Sequence, residues 1–99
     1  MAKWSRGHPV ICRIEEVVKS EAGRSQAKEA ANSGQAALAG VDPLLKEKLG
    51  NEYGQHPETM SWAGTFVAEV MTENGYKKEG RRRLPPGCVA QFGALFKKA

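Results

Sequence analysis

The scarcity of large aliphatic side chains constrains this chain more than any other feature of its sequence. Val, Ile, Leu and Phe together supply 18 of the 99 residues, just under the roughly 20% below which chains tend toward disorder. A chain of this size buries only about 60–65% of the surface it exposes when unfolded. Thirteen Ala, three Met, two Trp, two Tyr and two Cys bring the apolar share to 40%. The expectation is one small, marginally stable domain over residues 1–99, with residues 1–8 as a loose N-terminal arm.

No apolar run approaches the length of a membrane span. The opening residues, Met1 to Pro9, are basic but lack the apolar stretch of a secretory signal. A cytosolic, non-membrane protein with Cys12 and Cys88 as free thiols is expected; a single Cys12–Cys88 bridge is the alternative.

Charge is unevenly placed. Residues 1–40 carry net +2, residues 41–75 net −4 and residues 76–99 net +6. A basic C-terminal quarter beside an acidic middle points to an anionic partner for one end of the molecule.

Apolar periodicity places the elements. Val10, Ile11, Ile14, Val17 and Val18 share one helical face behind Pro9, with Gly23 as the stop and a short strand over Val10–Ile14 as the competing reading. Ser25 caps a second helix running through Leu38, with Ala27, Ala30, Ala31, Ala37 and Leu38 inward. It is interrupted by Asn32-Ser33-Gly34 and is either continuous or broken in two there. Asp42 as N-cap, Pro43 in the first turn and Gly50 at the end define a short third helix. Pro57 opens the strongest element, with Met60, Ala63, Phe66, Val67, Val70 and Met71 in one stripe and Asn74-Gly75 as its stop. Tyr76–Leu84 forms a loop or a hairpin turning at Glu79-Gly80. After Pro85-Pro86, the residues Cys88, Val89, Phe92, Leu95 and Phe96 pattern as a last amphipathic helix closed by Lys97 and Lys98. The fold class expected is mostly α: a bundle of four or five short helices with one basic loop or β-hairpin between the last two.

The basic segment is the first candidate site. Lys77, Lys78, Arg81, Arg82 and Arg83 place five cations in seven positions, with Tyr76 at the edge. Such a cluster neutralises a phosphate backbone through counterion release, Arg grips phosphate bidentately, and Tyr76 offers a ring for an unpaired base. DNA or RNA is the partner this favours. An acidic protein partner is the second reading. The third is a solvated surface whose charges answer Glu47, Glu52 and Glu58. The residues upstream of the segment do not pattern as the recognition helix of a helix-turn-helix motif.

Cys88, after Pro86-Gly87 and near three Arg, has the surroundings of an activated thiolate. It needs a base from His8 or His56, and it fits equally well as part of an apolar face. His8 and Cys12 share a helical face, but zinc needs two more ligands and only His56 and Cys88 remain. With no motif to join them, no metal site is assigned, His8 is read as a cap and Cys12 as buried. The glycines form neither a phosphate loop nor a dinucleotide fingerprint, and no cofactor is expected. Glu69 and Glu73 form a repelling i, i+4 pair that the downstream basic segment is positioned to cover.

The string Trp62-Ala63-Gly64-Thr65-Phe66-Val67-Ala68 resembles the nucleophile helix of NlpC/P60- and CHAP-like cell-wall amidases, in which Cys stands where Ala63 stands here. The resemblance implies a cysteine amidase fold that has lost its nucleophile. It also implies a His on a strand after the nucleophile, whereas His8 and His56 both precede residue 63. An active enzyme of this type is excluded by the missing thiol and base.

The expected function is a small, basic, non-enzymatic nucleic-acid-binding or regulatory protein, of the kind phages and mobile elements carry, gripping phosphates through residues 77–83. A protein-binding module or inhibitor is the alternative, and an inactive amidase-like fragment the second alternative.

Overall fold

The computed structural model describes residues 4–86, 88–89 and 91–99. It contains α1 (Pro9–Lys19), α2 (Glu21–Asn32), α3 (Ala37–Leu49), the single turn α4 (Glu52–Gln55), α5 (Pro57–Glu73), β1 (Tyr76–Arg83) and β2 (Phe92–Lys98). The mostly helical architecture with a basic hairpin is the one expected.

Helix α1 starts as its sequence dictates. Pro9 occupies the first turn, and His8 Nδ1 accepts from the Val10 N–H at 3.2 Å. Ile11, Ile14 and Val18 are fully buried against α5, which contributes Ala63, Phe66, Val67 and Val70 to the same core.

Ser20, rather than Gly23, divides α1 from α2. Its hydroxyl donates to Val17 O at 2.6 Å and accepts from Gly23 N–H at 3.1 Å, so one side chain ends one helix and caps the next. Gly23 lies buried within α2, which begins at Glu21, four residues upstream of the expected N-cap Ser25. The break at Asn32-Ser33-Gly34 is real, and the predicted alanine face is divided between α2 and α3. Ala27, Ala30, Ala31, Ala37 and Leu38 are all buried. A Cβ on Gly40 would run into the Gln26 carbonyl and lie 2.9 Å from Ala30 Cβ, so α2 and α3 touch backbone to side chain. Close approach compensates for the shortage of large side chains.

Helix α3 starts five residues upstream of the expected N-cap. Pro43 therefore stands inside it, and Asp42 is not a cap but a fully buried carboxyl.

The largest correction concerns the C-terminal segment, which is a strand and not a helix. The apolar residues with helical spacing also satisfy a period of two, since Phe92, Ala94 and Phe96 alternate. Pro85-Pro86 prevents helical entry from the front, and β1 offers a row of unpaired N–H and C=O groups. Pairing with that edge settles the ambiguity. The strands are antiparallel, with Tyr76 opposite Lys98 and Arg83 opposite Phe92. The hairpin turns not at Glu79-Gly80 but through the longer connection 84–91.

Residues 4–8 are anchored rather than loose. Trp62 Nε1–H donates to Trp4 O at 3.1 Å, and the Trp4 ring stacks on His8 at 3.9 Å and tilts against His56 at 4.4 Å. Arg6 reaches Glu15 and Glu69 at 2.9 and 2.8 Å. No helix among the described residues is long and apolar enough to cross a membrane.

Candidate nucleic-acid interface

The basic segment is the strand β1, and its geometry sorts the cations. Side chains alternate along a strand, and residues directly opposite in an antiparallel pair share a face. Lys78 faces Phe96, Arg81 faces Ala94 and Arg83 faces Phe92. Residues 78 and 81 would normally point to opposite sides. A bulge between Lys78 and Gly80 adds one residue to β1 and restores them to the same side. Gly80 has φ +129° there, a conformation side chains disfavour. Lys77 and Arg82 alternate to the other face, where Lys77 stands directly opposite Lys97.

The second strand thus completes the site. The ribbon carries Lys77, Lys78, Arg81, Arg82, Arg83, Lys97 and Lys98 against the single acid Glu79. All seven cations are exposed. Among the described residues, none of them takes part in an ion pair, while the ion pairs that do form join Arg6, Lys19 and Arg24 to Glu15, Glu69 and Glu73. The reading in which Glu47, Glu52 and Glu58 neutralise the basic run has no ion pair behind it among these residues. The Glu69–Glu73 pair is covered from upstream instead: Arg6 and Lys19 hold Glu69, and Arg24 stands 3.9 Å from Glu73. By sequence pattern Lys97 and Lys98 have only a helix-dipole role, because their cross-strand position depends on β2.

Tyr76 does not offer a ring for stacking. It is 7% exposed, its hydroxyl donates to Asn32 Oδ1 at 2.7 Å, and Lys98 Nζ lies 5.9 Å from its ring centre. An open groove instead runs between the ribbon and α5, with Lys78, Arg81 and Phe92 on one wall and Gly64, Ala68 and Glu69 on the other. Helix α5 contains Glu58, Glu69 and Glu73 and no Lys or Arg, so the helix preceding the ribbon is anionic.

The connection behind the ribbon is fastened to the core. Asp42 accepts Val89 N–H at 3.0 Å through Oδ2 and Tyr53 O–H at 2.7 Å through Oδ1. Burial first, and the hydrogen bond to Asp42 second, push the Tyr53 phenol far above its ordinary range. Leu84 N–H donates to Gln91 O at 2.9 Å at the mouth of the hairpin.

The other candidates fare differently. Cys88 is half-buried, and burial followed by the charge of Asp42 raises its thiol pKa, opposite to the activation expected from neighbouring Arg. Cys12 is exposed rather than buried, its Sγ 3.5 Å from Arg6 O, and both cysteines are free. His8 and His56 both pack on Trp4. Among the described residues, no three His, Cys, Asp or Glu gather in a metal-binding group. Ala63 is fully buried inside α5, so a side chain at that position faces the core and not a cleft.

Compared with known proteins, the chain matches no family, no curated protein and no solved structure.

Proposed function

We propose that this protein binds nucleic acid through its two-stranded ribbon, acting as a small non-enzymatic binding or regulatory protein. The observation that carries the reading is seven exposed cations on one ribbon, with one acid among them and no ion pair to any of them among the described residues. Lys77 directly opposite Lys97 is a repulsive cross-strand pair. A phosphate chain relieves that repulsion and releases its own counterions on docking. Guanidinium groups on both faces suit a polyanion that passes along or around the ribbon. The anionic character of α5 argues against a major-groove recognition helix and for contacts made by the ribbon alone, mainly to the backbone.

The test is binding to duplex and single-stranded oligonucleotides over a range of salt. Affinity falls steeply with salt, and replacing Arg81, Arg82 and Arg83 together with Ala lowers the log–log slope by about two to three. An unchanged slope in that variant, or no binding at low salt, refutes the proposal.

A further inference from the structure

Phe92 is the one large apolar side chain that stands exposed among the described residues, at 52%. Its position is specific. It lies at the start of β2, directly opposite Arg83, with Arg81 next along the same face of the partner strand. It also lines the groove between the ribbon and α5. Across that groove α5 presents the small residues Gly64 and Ala68 at the middle of the wall, with the carboxylates Glu69 and Glu73 further along it, and these are held by Arg6, Lys19 and Arg24. No heavy atom lies within 4 Å of where a Cβ on Gly64 would be, so the space beside that wall is open.

An exposed aromatic costs free energy in water, and the same strand face shows the alternative use. Phe96 alternates to the same side as Phe92 and is buried in the core. Phe92, four residues earlier, lines the open groove and leaves about half of its surface exposed. Its cross-strand neighbours on that face, Arg83 and Arg81, are guanidinium groups, which suit phosphate. A ring flanked by cations matches a nucleotide, whose base is flat and apolar on its faces and whose phosphate is anionic.

Resting on the proposed role of the ribbon, we infer that Phe92 is a stacking platform for an unpaired nucleobase and that the protein prefers single-stranded nucleic acid. Arg81 and Arg83 take the flanking phosphates while the base enters the groove against the ring. In a duplex, base faces are covered by stacking on their neighbours, and pairing holds the bases inside the helix, so the ring has no free face to meet. The role expected of Tyr76 passes to Phe92, because Tyr76 is buried and bonded to Asn32.

The experiment compares a short oligo(dT) with an abasic strand of the same length, which keeps the phosphates and lacks the bases. The full chain binds oligo(dT) about tenfold more tightly than the abasic strand. Phe92→Leu, which keeps the bulk and loses the π face, removes that preference and leaves abasic-strand affinity and salt slope unchanged. Phe92→Trp keeps the preference and adds fluorescence quenching by the bound base. Circular dichroism checks that both variants remain folded. Equal binding of the two strands by the unmodified chain, or a preference that survives in Phe92→Leu, overturns the inference and leaves the ribbon proposal standing. A loss confined to self-association of the protein overturns it equally. Absence of salt-dependent binding to either strand refutes the ribbon proposal itself.

Discussion

Asp42 and Val89 are joined by a 3.0 Å hydrogen bond across 47 positions of sequence. The bond pins the connection that follows the basic strand to the middle of α3. Because Asp42 also holds Tyr53 at 2.7 Å, one fully buried carboxyl organises α3, the α4 turn and the hairpin connection.

Removing that carboxyl leaves the buried Tyr53 hydroxyl and the part-buried Val89 N–H without their acceptor. Asp42→Ala lowers stability by about 2–4 kcal/mol, and Tyr53→Phe, which strands only one oxygen, by about 1–2 kcal/mol. Chemical denaturation monitored by circular dichroism measures both. The Tyr53 phenol titrates above its ordinary range in the folded state. Its contribution is therefore complete below the unfolded-state value of about 10 and is lost as pH climbs beyond it. Alkaline destabilisation is weaker in Tyr53→Phe, as a comparison of melting curves at neutral and strongly alkaline pH shows.

Gly40→Ala tests the close approach of α2 and α3. Helix propensity alone would make the change favourable by about 1 kcal/mol. The Cβ instead meets the Gln26 carbonyl and Ala30 Cβ. The expected outcome is a net loss of about 1–3 kcal/mol from overpacking. A more stable variant in a denaturant titration would show that the two helices can separate freely.

Two cations lie over the Phe66 ring, Arg6 at 5.1 Å and Lys19 at 5.6 Å, and both reach Glu15 and Glu69. Hydrogen bonds from Arg6 and then Lys19 lower the Glu15 pKa, and those from Lys19 and then Arg6 lower that of Glu69. A carboxyl depressed in the folded state contributes stability that is present above its unfolded pKa and disappears as pH falls through the folded one. The melting temperature is therefore flat near neutrality and declines in acid. The double variant Glu15→Gln, Glu69→Gln loses part of that decline. Because the groups are partly exposed, added salt reduces the difference between the two proteins.

The two thiols separate by reactivity. Cys12 is exposed, whereas Cys88 is half-buried with its pKa raised. Less thiolate and less access both slow alkylation at position 88. Iodoacetamide labelling at neutral pH, followed by mass spectrometry, places the first adduct on Cys12. Asp42→Asn, which removes the charge facing Cys88, speeds the second adduct. Equal rates at the two positions in the unmodified chain would contradict this ordering.

Local chemistry was sufficient for much of this molecule. Pro9, Pro57, Asn74-Gly75 and the 3.6-residue stripes of α1 and α5 fixed those helices, because each signal acts within a few residues. The concentration of positive charge near the C terminus is a property of composition, and folding did not disperse it. Tertiary contacts were needed wherever one segment served two patterns or one residue two roles. The run Phe92–Phe96 fits a helix or a strand, and only the open edge of β1 chooses between them. Asp42 suits an N-cap by type, yet burial against Tyr53 and Val89, both distant along the chain, gives it a different task. For the same reason the exposed aromatic of the ribbon is Phe92 and not Tyr76. A ring's exposure depends on the register of its strand and on what packs against it, and neither is written in its immediate neighbours.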